Sequence, residues 1–282
     1  MSKPYEIERV GDVEVRITRG ADKPLMLLTR MASGGMGIWD AVWGDLARYY
    51  TVANFDLVGA AGLGEDMPAR DRFLALADIS ADMAARLGFE RFHVFGWYGG
   101  CHVALACLAR YAARLDSCLL LDPFFELPDK RKIEKAIEFK RALFEHPDRE
   151  LYSYYWVMAG FSPEFLENNF DTVERLAKAR IAADRFVALD TARWMRWVRA
   201  LRTNWLTDDD FAGMTVPTLI LATALDSWHA GPTVGMASAL QRRLAAAELK
   251  VVDGLGTFFF TEAPERFREL ATPFLERHAG RR

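Results

Sequence analysis

Short continuous apolar runs alternating with stretches of helical periodicity predict an α/β fold, a mostly parallel sheet covered by helices on both faces. A glycine-pinched turn that joins one such run directly to a helix, at Gly96-Trp97-Tyr98-Gly99-Gly100, supports the prediction. A long stretch without any strand-like run, from Phe124 to about Phe211, adds an inserted helical cap.

The elements follow in order. Glu6 to Arg9 and Val13 to Thr18 alternate apolar and polar about Gly11-Asp12, the signature of an edge hairpin. Leu25 to Leu28, Val52 to Phe55, Phe92 to Phe95, Cys118 to Leu121 and Thr218 to Leu221 are continuous apolar runs, as suits strands buried on both faces, and Lys250 to Val252 is the last strand. Between them Trp39 to Tyr49, Phe73 to Leu87, Gly99 to Tyr111, Val234 to Leu244 and Pro264 to His278 carry apolar residues at helical spacing. Within the strandless stretch, Arg131 to Glu145, Pro163 to Arg180 and Asp190 to Leu206 read as helices, with Trp156, Trp194, Trp197 and Trp205 adding aromatic bulk that either glues helices together or lines a pocket. The expected domains are a core of residues 1–123 and 212–282 and a cap of residues 124–211.

With 282 residues, 51% of them hydrophobic, the chain is long enough for one large domain with a buried core. A net charge of -3 offers no basic face for phosphates, so nucleic acid is not expected as a partner. Neither an apolar leader nor an uninterrupted run of membrane-spanning length is present, and three unpaired cysteines, Cys101, Cys107 and Cys118, lie in apolar sequence. A reduced, cytoplasmic protein without membrane association is expected. The oligomeric state is not readable.

The turn at residues 96–100 resembles the nucleophile elbow G-x-S-x-G of the α/β-hydrolase superfamily, and the resemblance extends to the order of elements along nearly the whole chain. Two registers fit: Tyr98 stands in the serine slot, or the serine is deleted and Tyr98 follows it. Family members carry a His-Gly after the first buried strand, where this chain has Thr29-Arg30-Met31, and the turn D-x-R-G-x-G after the next, where it has Asp56-Leu57-Val58-Gly59. The acid position is matched by Asp226, but Thr257, in Gly254-Leu255-Gly256-Thr257-Phe258, stands where the family has its general base. Threonine does not titrate usefully, so a phenol and an alcohol cannot reproduce the proton relay of a serine triad.

The resemblance therefore implies a superfamily member without ordinary triad hydrolysis, acting on a hydrophobic small molecule by lyase-, isomerase- or cyclase-like chemistry. In that reading Tyr98 and Asp226 or His229 move protons, and the amides of Arg30, Met31 and Gly99 stabilise an oxyanion. Trp97, Thr257 and Trp156 would contact the substrate. The alternatives are a catalytically dead binding protein, with Tyr98 plugging the pocket, and an atypical hydrolase using Asp226 and His229. His102 and Cys101 read as core residues, His93 as a strand residue, and His146 and His278 as surface. The glycine-rich stretches after Met31 and Val58 lack the full G-x-G-x-x-G spacing, and no cofactor or metal is expected.

Overall fold

The computed structural model describes residues 3–29, 39–57, 67–125, 130–183, 204–225 and 233–280. Eight strands form one sheet: β1 (Glu6–Val10), β2 (Val13–Thr18), β3 (Leu25–Thr29), β4 (Thr51–Phe55), β5 (Phe92–Trp97), β6 (Leu115–Leu121), β7 (Thr218–Thr223) and β8 (Ala247–Val252), in the order β1-β2-β4-β3-β5-β6-β7-β8. The hairpin β1–β2 turns at Gly11, whose φ of +62° a side-chain-bearing residue adopts only under strain, and β2 pairs antiparallel with β4. Every later pairing is parallel. The strands β3, β4, β5 and β7 are buried at every residue, which is why they read as unbroken apolar runs.

Helices cover both faces. On one side lie α1 (Asp40–Ala47) and the C-terminal α11 (Pro264–Ala279), whose Trp43, Leu46, Phe267 and Phe274 pack with Met26, Leu28, Phe95 and Leu119 of the sheet. On the other lie α2 (Ala69–Arg86), α3 (Gly100–Tyr111) and α9 (Thr233–Arg243), whose Phe73, Leu76, Val103 and Met236 pack with Leu27, Val94 and Leu120.

Between β6 and β7 the chain builds α4 (Lys130–Glu145), α5 (Arg149–Met158), α6 (Pro163–Asn168), α7 (Phe170–Ala183) and α8 (Asp208–Gly213), and a short α10 (Phe259–Glu262) follows β8. The single helix expected over Pro163 to Arg180 is two, because Asn169 leaves helical geometry at φ −136° and ends α6. The helix α5 was not expected; its start is written in Asp148, whose carboxylate accepts from the Glu150 N–H. Of the helix expected over Asp190 to Leu206, residues 190–203 lie outside the described residues and 204–206 are not helical. His278, expected at the surface, is 5% exposed and packs on Phe274 because it closes the buried face of α11. No described helix is long and apolar enough to cross a membrane.

Candidate active site

The strand β5 ends at Trp97 and α3 begins at Gly100, so two residues turn the chain. A Cβ on Gly96 would lie 2.8 Å from the Cys101 Cα and from the Gly100 carbonyl oxygen, a contact only glycine permits. Tyr98 has φ +56°, and its N–H donates to the Leu121 carbonyl at 2.9 Å while its own carbonyl accepts from the Cys101 N–H at 3.0 Å. Of the two registers, the left-handed backbone favours the one in which Tyr98 is itself the residue thrust out of the turn. Its side chain is half-buried, with its ring 5.0 Å from Phe124.

Trp97 is fully buried. Its indole N–H donates to the Thr257 hydroxyl at 3.0 Å, and its ring meets Trp39, Trp156, Phe258 and Phe260 at 6.1, 6.4, 5.5 and 5.7 Å. Thr257 is likewise fully buried. The loop carrying it presses on the corner between α5 and α6: a Cβ on Gly256 would lie 2.5 Å from the Gly160 carbonyl oxygen, which accepts from the Phe258 N–H at 2.8 Å. Glu262 accepts from the Ser162 N–H at 3.0 Å and from its hydroxyl at 2.6 Å, fastening the same corner.

A buried carboxylate that the sequence reading passed over, Asp122, follows β6 with φ +48°. It accepts from the Thr223 N–H at 2.7 Å and from the Thr223 hydroxyl at 3.0 Å, tying the carboxyl ends of β6 and β7 together. The signal was there in Leu121-Asp122-Pro123, an acid placed directly after a buried strand.

Two other candidates for chemistry resolve as structure. The thiol of Cys101 contacts the carbonyls of Gly96 and Leu121 at 3.2 and 3.3 Å, and burial pushes its pKa well above the usual thiol range, so no thiolate forms there. His102 is buried, stacked on Phe73 at 5.0 Å, and its Nδ1 accepts from the Trp205 indole N–H at 2.9 Å. An accepting Nδ1 fixes the neutral tautomer protonated on Nε2.

The structure thus brings Trp97, Thr257 and Trp156 together, Thr257 bonded to the Trp97 indole and Trp156 against its ring, with Tyr98 and Gly99 next along the chain. Arg30, Met31, Asp226 and His229 lie outside the described residues, as do Trp194 and Trp197. Among the described residues no group of three or more His, Cys, Asp or Glu is placed to hold a metal ion.

The sheet order, the helices on both faces and the strained turn after β5 define an α/β-hydrolase fold. Residues 32–270 match the model of the alpha/beta hydrolase family, and the chain belongs to that family. Over 91 residues it is 35% identical to a fluoroacetate dehalogenase of Burkholderia sp; the match spans 31% of this chain and 30% of that enzyme. The fold is similar to that of an alpha/beta hydrolase enzyme from a Medee basin deep-sea metagenome library, with a TM-score of 0.75 at 16% identity over 95% of this chain and 97% of the other. It is also similar to the enol-lactonase from Burkholderia xenovorans, with a TM-score of 0.69 at 16% identity over 96% and 100%.

Proposed function

We propose that this protein acts on a hydrophobic small molecule without forming an acyl-enzyme, with Tyr98 as the hydrogen-bond donor or acid that meets the substrate. In this reading α4 to α8 form a cap over the carboxyl edge of the sheet, and the crevice beneath it holds the substrate. The observation that carries it is the Tyr98 backbone. A bulky residue at φ +56° costs on the order of 1–3 kcal/mol, and a protein keeps such a conformation where the side chain it presents is used.

The neighbouring position supports the same chemistry. Thr257, where family members place the general base, already accepts a hydrogen bond from Trp97 and has no basic group to take up a proton. A phenol has an ordinary pKa of about 10, so at neutral pH it is protonated and able to donate to a carbonyl or enolate oxygen. The aromatic surroundings, Phe124 against the Tyr98 ring and the cluster of Trp97, Trp156 and Phe258, suit an apolar, uncharged substrate. Arg30 and Met31 as amide donors, and Asp226 and His229 as proton carriers, complete the reading on sequence grounds. No cofactor enters it, and buried cysteines accord with a cytoplasmic protein.

The relatives named above are a dehalogenase, a lactonase and a hydrolase, so the test covers both kinds of chemistry. The purified protein is assayed against apolar esters, lactones, haloacids and enolisable ketones. Tyr98→Phe is expected to lower turnover of a non-hydrolytic substrate at least 100-fold while leaving its affinity within a few-fold. Unchanged turnover in that variant would sink the proposal. Recovery of every bound compound unaltered would instead favour a binding protein, and ester cleavage dependent on Asp226 would favour the atypical hydrolase.

A further inference from the structure

We infer that Asp122 is a positioning residue of the candidate site: its buried carboxylate clasps Thr223 and so holds together the carboxyl ends of β6 and β7, to which the Tyr98 backbone is anchored. That role belongs to the function proposed above and rests on it. Among the described residues three non-glycine residues have positive φ, Asp22, Tyr98 and Asp122, and the last two stand side by side. Trp97 pairs with Leu121 across β5 and β6, so both strands end at one level and each is followed at once by a left-handed residue. Pro123 comes next after Asp122, and a proline pushes the residue before it toward extended backbone, so φ +48° is held against the local preference. Strain of this kind persists where the surroundings over-determine it. Aspartate and asparagine both tolerate a left-handed backbone, so conformation alone does not account for a buried charge here. Asp122 is 0% exposed, and a buried carboxylate is kept only where hydrogen bonds compensate it.

The bonds around it form a circuit through the carboxyl edge of the sheet. The Tyr98 N–H donates to the Leu121 carbonyl at 2.9 Å, and the Asp122 N–H to the Leu221 carbonyl at 2.9 Å. Thr223 returns its N–H to the Asp122 carboxylate at 2.7 Å and its hydroxyl at 3.0 Å. Beyond it the Ala224 N–H donates to the Val252 carbonyl at 3.0 Å and the Leu225 N–H to the Leu255 carbonyl at 3.2 Å. Two residues past Leu255, Thr257 accepts from the Trp97 indole at 3.0 Å, which returns the path to the residue before Tyr98. Asp122 supplies the charged link, and hydrogen bonds to an ionised acceptor are roughly twice as strong as neutral ones. Without it the Leu121 carbonyl that holds Tyr98 and the end of β7, from which the chain runs on to Asp226, lose their tie. Thr223 engages both carboxylate oxygens, so Asp122 acts through the backbone and not on the substrate. A displacement of about 1 Å at a reacting group costs on the order of 100-fold in rate, which makes such a tie matter to turnover.

The test compares Asp122→Asn, Thr223→Val and Thr223→Ser in the whole protein. Amide hydrogen exchange is followed by NMR at Tyr98, with Val94 and Phe95 inside β5 as the reference. Exchange at Tyr98 is expected to quicken about tenfold or more relative to that reference in Asp122→Asn and Thr223→Val, and to stay within about twofold in Thr223→Ser, which keeps both donors. A general loss of stability quickens all three amides together, and an unchanged ratio in both Asp122→Asn and Thr223→Val would overturn the assignment. On a substrate whose turnover falls in Tyr98→Phe, kcat should drop about tenfold or more in Thr223→Val with KM within a few-fold, while Thr223→Ser stays near the native value. An unchanged kcat in Thr223→Val would likewise overturn it. Selective exchange at Tyr98 in a protein whose turnover ignores Tyr98→Phe would uphold the clasp and count instead against Tyr98 as the acid.

Discussion

A tyrosine held at φ +56° and a threonine hydroxyl bonded to an indole are the two residues on which the proposed chemistry rests. The first was legible, because glycines at 96, 99 and 100 mark the turn, and the structure adds that the left-handed residue is Tyr98. The bond between Trp97 and Thr257 was not legible, since it joins residues 160 positions apart, and neither was the Asp122 to Thr223 pair, 101 apart. Pattern reading sees periodicity along a chain and not which side chains meet across a sheet. Thr257→Val tests the first bond by keeping the volume and removing the hydroxyl that accepts from the Trp97 N–H. The expected loss is about 1–3 kcal/mol, seen as a lower urea midpoint at unchanged m, whereas Thr257→Ser should lose far less. Equal midpoints for valine and threonine would mean that the hydroxyl carries no structural weight.

Strand β5 is fixed at both ends, by the elbow at its carboxyl end and by His93 near its start. The sequence placed His93 in the strand but gave no sign of its surroundings. The ring is fully buried, with Nδ1 2.7 Å from the Ser117 hydroxyl on β6, Nε2 3.9 Å from the Asp116 carboxylate, and the Tyr50 ring 4.8 Å away. Burial pulls its pKa down to about 4, with Asp116 opposing and His278 and Arg91 assisting. The folded protein therefore holds His93 neutral while the unfolded chain, near 6.5, takes up a proton first. More protons bound by the unfolded state means that stability rises with pH, so the contribution is complete above pH 6.5 and is lost as pH falls toward 4. A shift of that size corresponds to roughly 3 kcal/mol. The unfolding free energy from urea titrations between pH 7 and pH 4 should fall by about that amount in the native protein and by clearly less in His93→Gln, which cannot titrate; parallel curves would remove His93 as the cause.

At the scale of the whole molecule, the mostly parallel sheet with helices on both faces followed from alternation alone, because buried parallel strands must be apolar throughout, whereas the order of the strands in it did not. How the helices after β6 attach to the sheet did not follow, since attachment depends on a few long-range contacts. Two sets of them are found, one midway along the segment and one near its end. Near α5 and α6, Ser162 donates to Glu262 and the Phe258 N–H donates to Gly160. Near the return to β7, Arg70 on α2 grips Asp210 of α8 at 2.5 and 2.9 Å and donates to the Trp205 carbonyl at 3.1 Å, while the Trp205 indole donates to His102. Arg70 and the Thr207 cap hold the Asp210 carboxyl well below the usual range, so this grip persists at acid pH. A segment clamped at two points unfolds with the sheet, and loosening one clamp leaves the other to enforce a single transition. Glu262→Gln and Arg70→Met should each cost about 1 kcal/mol, the second discounted because Arg70 is partly exposed, and each should still unfold in one step. Combined, they should open the helices to protease at a urea concentration below the midpoint read by far-UV circular dichroism. Coincident protease and circular dichroism transitions in the double variant would show that the packing of Val157, Phe161 and Val173 against the sheet face is by itself enough to hold the segment down.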